Sequence, residues 1–383
     1  MYSKTSAYLF VSLLLLSGCD DDLPNIDPSS VHIADVRTHI DALPVAPAQD
    51  PAKVELGRLL FWDPILSANQ DVACASCHHP DLDYADGAFA SLGVGATGLG
   101  HQRSGGARTP RNAQTILNTV YNGLGLSGVM TQAEAPMFWD NRISSLEQQA
   151  RQPILSEIEM RGSAVAEDEI IPLVLSRLER ITEYNSLFAA SYASGINEAN
   201  MLDAIASFER SLVANNSAFD QFMRGDRSAM SDRQIIGLQR FIDFDCTACH
   251  NGPMLSDYKL HVLGAADHAQ NPNGVDTGAE GNFSFRTPSL RNLLRTGPYM
   301  HGGTRTALND VINFYEDLAG GQSHNSQVPQ NALDPLGTGL PGDVDDAAGD
   351  IVAFLGALDD ANFDRDIPDR VPSGLPVGGA IRP

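Results

Sequence analysis

Apolar residues recur at helical spacing in several stretches of this chain and almost nowhere alternate at the period of two that marks a strand. Val54, Leu56, Leu59, Leu60, Phe61 and Trp62 form the first strong stretch. Ser144 to Ser211 reads as several helices, with breaks expected near Pro153 and Pro172. Arg233–Phe244, Thr306–Leu318 and Val344–Leu358 read as further helices, and Val31–Ala42 as one short helix. The chain is therefore expected to be mainly α, with few short strands. Residues 19–50 are rich in Asp, Pro and Ala and read as a tether. Six glycines between Ser91 and Pro110 surround His101 and predict a flexible loop. The Pro/Gly-rich residues 363–383 read as a loose tail. Between these lie two packed units, 51–225 and 226–362.

Chemistry enters with Cys74-Ala75-Ser76-Cys77-His78 and Cys246-Thr247-Ala248-Cys249-His250. In such a pattern two thiols add across the vinyl groups of one porphyrin, and the adjoining imidazole reaches the iron. A lone Cys-x-x-Cys also suits a thiol redox pair or half a zinc site. Two copies could form two structural disulfides, but that reading leaves both histidines unexplained. The motifs recur 172 residues apart, His78 to His250, each after an apolar helix. This weak internal duplication predicts two tandem cytochrome-c-like haem domains carrying two covalent haem c groups. His78 and His250 are the expected proximal ligands.

The formal charge of −23 argues against nucleic acid as a partner and suits steering of a basic protein patch. Residues 1–18 have the form of a signal peptide, with Lys4 before the apolar run Ala7 to Leu16. Leu16-Ser17-Gly18-Cys19 resembles a bacterial lipobox, which accounts for the fifth cysteine, and Asp20 resembles an inner-membrane retention signal. A periplasmic protein anchored through lipid at Cys19 is expected, with an ordinary cleaved leader as the alternative. No other segment is long and apolar enough to span a bilayer.

Several segments resemble the signatures of the bacterial di-haem cytochrome c peroxidase superfamily, which includes the MauG and MbnH enzymes. They are Leu56 to Ser67, Arg111-Asn112-Ala113-Gln114-Thr115, Phe138-Trp139-Asp140-Asn141-Arg142, Thr287-Pro288-Ser289-Leu290-Arg291-Asn292 and Thr296 to Gly303. The resemblance spans roughly residues 54 to 358. It implies that the N-terminal haem meets hydrogen peroxide, while the C-terminal haem is six-coordinate and stores or relays electrons.

Site residues follow from the same resemblance. Leu308, Val311, Ile312 and Tyr315 share one helix face by the i, i+3, i+4, i+7 rule, so Tyr315 is expected to point inward. It falls fourteen residues after His301, where classical peroxidases resemble one another in a methionine ligand and MauG-like members have tyrosine. A phenolate stabilises the higher oxidation states of iron, whereas a thioether favours the reduced one. A buried core tyrosine is the bland alternative. Trp139 matches the inter-haem tryptophan, and Glu159 the distal acid that moves a proton between the peroxide oxygens. Gln149 and Pro153 match neighbours of that pocket. His101 matches a loop histidine that caps the resting peroxide-binding haem in many peroxidases, and equally suits a solvated loop. Asn112, Thr296 and Pro298 match a calcium site between the haems. His79, His261, His268 and His324 match nothing and are read as surface residues.

Three functions remain open on this reading. The first is a peroxide-dependent enzyme that forms a high-valent state shared by both haems and oxidises a Trp or Tyr of a partner protein. The second is a peroxidase reducing peroxide to water with electrons from a small cytochrome or copper protein. The third is a di-haem electron carrier with no chemistry of its own.

Overall fold

The structure, a computed structural model, describes residues 23–125 and 135–381. The leader 1–18 and Cys19 lie outside the described residues. Eleven α-helices are found among them: α1 (Ile33–Val36), α2 (Pro51–Trp62), α3 (Leu146–Leu155), α4 (Glu167–Glu179), α5 (Thr182–Ser191), α6 (Glu198–Ser211), α7 (Ala218–Met223), α8 (Asp232–Asp243), α9 (Leu308–Ala319), α10 (Pro335–Thr338) and α11 (Ala348–Gly356). Among the described residues, strands form two small antiparallel pairs, with isolated bridges elsewhere. β1 (Ala96–Thr97) pairs with β2 (Ser104–Gly105), and β3 (Leu260–His261) with β4 (Phe285–Arg286). No described helix is long and apolar enough to cross a membrane.

Local chemistry explains the helix starts. Asp50 caps α2 through the Ala52 amide, with Pro51 at the first helical position. Ser231 and Gln234 form a reciprocal capping box on α8. Pro153 lies two residues from the end of α3, close to the expected break. Pro172 is inside α4, which continues because Ile170, Ile171, Val174 and Leu178 bury one face in the core.

The duplication is visible in how two helix pairs cross. α2 packs on α6 with Gly57 against the Ala204 carbonyl and the Phe208 Cβ. α8 packs on α11 with Gly237 against the Asp350 carbonyl and the Phe354 Cβ. In both places a methyl group would strike backbone, so the helices cross where only glycine fits. Gly57→Ala should therefore lower stability by about 1–3 kcal/mol. Denaturant unfolding of the haem-loaded protein checks this, and an unchanged midpoint would show that the crossing tolerates a Cβ.

Four expectations about the connecting segments need correction. Residues 23–50 do not hang free: Val31, Val36 and Ile40 are buried in the core of the second unit. The Arg291 guanidinium also donates to the Asp41 carbonyl at 3.1 Å, and the Gly252 amide to the His39 carbonyl at 2.9 Å. The helix expected over Val31–Ala42 shrinks to the single turn of α1. Residues 363–381 are not loose either. Val371 is buried, the Ser76 hydroxyl donates to the Gly378 carbonyl at 2.8 Å, and the Gly378 amide to the Trp62 carbonyl at 2.7 Å. Finally, α7 contributes Phe219, Phe222 and Met223 to the second core, so the units part before residue 218 rather than at 225. Pro- and Gly-rich segments lack periodicity yet can still lay single apolar side chains into a groove.

Candidate active site

Each Cys-x-x-Cys-His motif opens as a 3-10 turn, Cys74–Ser76 and Cys246–Ala248. The adjoining imidazoles are held alike. His78 Nδ1 donates to the Tyr84 carbonyl and His250 Nδ1 to the Leu255 carbonyl, each at 2.9 Å. Both acceptor residues sit in the left-handed region, Tyr84 at φ 56° and Leu255 at φ 50°. With Nδ1 spent on backbone, Nε2 is the nitrogen left for a metal, the arrangement that orients a histidine ligand and raises its basicity. All four motif cysteines are free. Burial pushes the Cys77 and Cys246 thiols up to about 12.

Both motifs open onto one continuous cavity of about 720 Å³. Cys74, Cys77 and His78 line one part of it and Cys246, Cys249 and His250 another. Trp139 lies on the same wall and ties the units together. Its indole N–H donates to the Asn112 carbonyl at 3.0 Å, and its own carbonyl accepts from the Arg286 amide at 2.6 Å. Arg286 also donates to the Phe138 carbonyl and the Gln114 side chain, at 2.8 and 2.9 Å. The segments containing Arg111, Trp139 and Thr287 thus meet here, which explains their spacing as three separate signatures.

Glu159 and Gln149 face the part of the cavity next to the first motif, with Pro153 beside them. Glu159 sits on a π-type turn, Glu157–Arg161, a geometry that re-aims side chains at functional sites. Its exposed edge faces the cavity rather than bulk water. Burial therefore raises its carboxyl above the usual range, against the opposing influence of Ser156 and Arg142. The Gln149 side-chain amide makes no hydrogen bond among the described residues.

Tyr315 projects from α9 into the cavity beside the second motif, on the face predicted for it. Burial is the main cause that raises its phenol, with Cys249 and Cys246 next. Its hydroxyl has no hydrogen-bond partner among the described residues. A buried phenol usually finds one, so this oxygen is left for another group.

Asn112, Thr296 and Pro298 also line the cavity. The Asn112 Nδ2 donates to the Ala88 carbonyl at 2.8 Å, which leaves its amide oxygen as the free end. Among the described residues neither the Thr296 nor the Pro298 carbonyl accepts a hydrogen bond. Three uncommitted neutral oxygens fit a hard cation such as calcium.

His101 is the predicted residue that the structure does not bring to the site. It is exposed and borders a second depression, lined by Asp86, Arg103 and His268 among others. The glycine-rich segment holding it is folded on itself by the β1–β2 pair, with Ala96 opposite Gly105.

Two residues at the cavity escaped the sequence reading. His261, expected on the surface, is buried on β3 between two carboxylates, Asp334 at 2.7 Å and Asp257 at 3.1 Å. Asp257 first, then Cys249 and Asp334, raise its imidazole to about 11. Glu209 lies on the buried face of α6. A carboxyl four residues after Ile205 on an apolar helix stripe was the available signal.

A family model described as "Di-haem cytochrome c peroxidase" matches residues 51–228. The methylamine utilization protein MauG of Methylophilus methylotrophus is 34% identical over 291 residues, covering 73% of this chain and 77% of that one. The cytochrome c peroxidase Ccp of Escherichia coli (strain K12) is 32% identical over 330 residues, 83% of this chain, and the match spans 60% of that relative's length. A crystal structure of a MauG-like protein associated with microbial copper homeostasis superposes with a TM-score of 0.65 at 26% identity, covering 84% of this chain and 93% of the other.

Proposed function

Since the chain belongs to the di-haem cytochrome c peroxidase family, we propose that it is a hydrogen-peroxide-dependent oxidoreductase that oxidises a Trp or Tyr residue of a partner protein. The observation that carries this reading is the unpartnered Tyr315 hydroxyl, in the cavity beside Cys246 and Cys249. The family implies two haem c groups, which would supply storage for two oxidising equivalents. Tyr315 would offer the second haem a hard oxygen donor, which would disfavour its reduction and let oxidising equivalents outlast the encounter with peroxide.

Each protein group then has a task. His78 and His250 would hold the haem irons, their Nδ1 atoms being anchored on backbone. Glu159 takes the proton from the inner peroxide oxygen and returns it to the outer one, which leaves as water. Gln149 would offer its side-chain amide to peroxide, and Pro153 would wall the pocket against a protein ligand. Trp139, pinned between Asn112 and Arg286, shortens the electron path between the units. Asn112, Thr296 and Pro298 would hold calcium, which would stiffen the junction. The leader and Cys19 support export to the periplasm and a lipid anchor there. The acidic surface suits a partner with a basic patch.

A second reading is a scavenging peroxidase fed by a small redox protein. The E. coli relative's name favours it. One equivalent of peroxide added to the fully oxidised protein without reductant separates the two. A long-lived two-electron-oxidised spectrum, discharged by a Trp-bearing partner, is the expected result. Activity only after half-reduction would favour the scavenger instead.

A further inference from the structure

Glu209 is an unpaired acid inside the haem cavity that no step above uses. It is 4% exposed, and its Oε2 has no hydrogen-bond partner among the described residues. It lines the same cavity as Glu159, and both carboxyls act electrostatically on the Cys74 thiol. Its helix cannot swing it out, because α6 is clamped on α2 at Gly57 through Ala204 and the neighbouring Phe208.

The charged groups acting on Glu209 are Arg210 on its own helix and Glu147 on α3. They form an ion pair with each other at 2.5 Å, so the Arg210 charge is largely committed to Glu147. Burial, reinforced by the Glu147 carboxylate, outweighs Arg210 and pushes the Glu209 carboxyl up to about 8. At neutral pH it is mostly neutral, as an unpaired carboxyl in an apolar cavity must be.

We propose that Glu209 is a second acid of the peroxide pocket, carrying a proton within the cavity and delivering it as peroxide is reduced. The proposal rests on the first unit being the peroxide site. Reduction of peroxide to two waters consumes two electrons and two protons. The electrons come from the redox partner or the oxidised residue; Glu209 supplies one proton from its carboxyl oxygen, and the second enters from solvent. The carboxylate left behind is costly while unpaired, so it regains a proton from solvent before the next turnover. Glu159 shuttles a proton already on peroxide, whereas Glu209 brings one in.

The test uses the haem-loaded full chain. Glu209→Gln keeps the shape and hydrogen-bonding capacity but holds no transferable proton. Infrared spectra of the wild type should show a protonated carboxyl stretch at neutral pH that fades as the pH passes about 8. The band should be absent in Glu209→Gln, present in Glu159→Gln and retained in Glu209→Asp. Steady-state peroxide turnover should fall by about tenfold or more in Glu209→Gln, with the donor KM unchanged and the alkaline limb of the pH profile lost. Glu209→Asp should recover part of the rate. A wild-type band surviving in Glu209→Gln would overturn the proposal. So would wild-type turnover in Glu209→Gln with Glu159→Gln slowed, which leaves the pocket assignment standing. Unchanged rates in both variants would overturn the pocket assignment and the proposal together.

Discussion

Glu159→Gln should slow the reaction with peroxide by about 10²–10⁴-fold, equivalent to roughly 3–5 kcal/mol of barrier. An amide of the same size keeps the pocket's volume but cannot take a proton. Cleavage of the peroxide bond then has to expel a poor leaving group. The loss should appear in the second-order rate constant measured by stopped flow, with the haem spectra of the resting protein unaltered. The pH dependence follows from the direction of the shift. Burial raises the Glu159 carboxyl, and it must be ionised to accept a proton. The rate should therefore fall as pH drops through that raised value, at higher pH than an exposed glutamate would give. The acid limb should vanish in the variant. A limb that persists in Glu159→Gln would assign it to another group.

Tyr315→Met should raise the midpoint potential of the second haem, by an amount on the order of a few tenths of a volt, given that axial ligands tune haem over about 0.8 V. The phenol oxygen is hard and, once ionised, anionic; the thioether is soft and neutral. Burial holds the free phenol protonated, so bound metal is what would draw its proton off. Spectroelectrochemistry reads the potential, and the phenolate-to-iron absorption should disappear with it. The oxidised state left by one equivalent of peroxide should also decay faster. An unchanged potential would mean that the Tyr315 hydroxyl is not a ligand.

Much of the site is legible in the residues because its chemistry is carried by short, rigid patterns. The two haem motifs announce themselves, and the inward face of Tyr315 follows from helical spacing with Leu308, Val311 and Ile312. Trp139 is harder: only three distant segments meeting through Arg111, Arg286 and Asn112 explain its place. His261 is illegible, and Glu209 easily missed, for the opposite reason. Charged residues are rarely buried, so each reads as surface until its environment is seen. His101 stays open in the sequence because a histidine among glycines has reach but no stated destination. The termini mislead because single buried residues such as Ile40 and Val371 have no neighbours in sequence to set a rhythm.

Those termini change how the duplicated halves relate. The leading segment braces the later half, its His39 and Asp41 carbonyls bonded to Gly252 and Arg291. The trailing segment braces the earlier half, where Gly378 meets Ser76 and Trp62. Each half is thus buttoned shut by the other end of the polypeptide. Severing the chain at its midpoint would yield two fragments, each lacking its own fastener, so the ancestral repeat has become a mutually dependent pair.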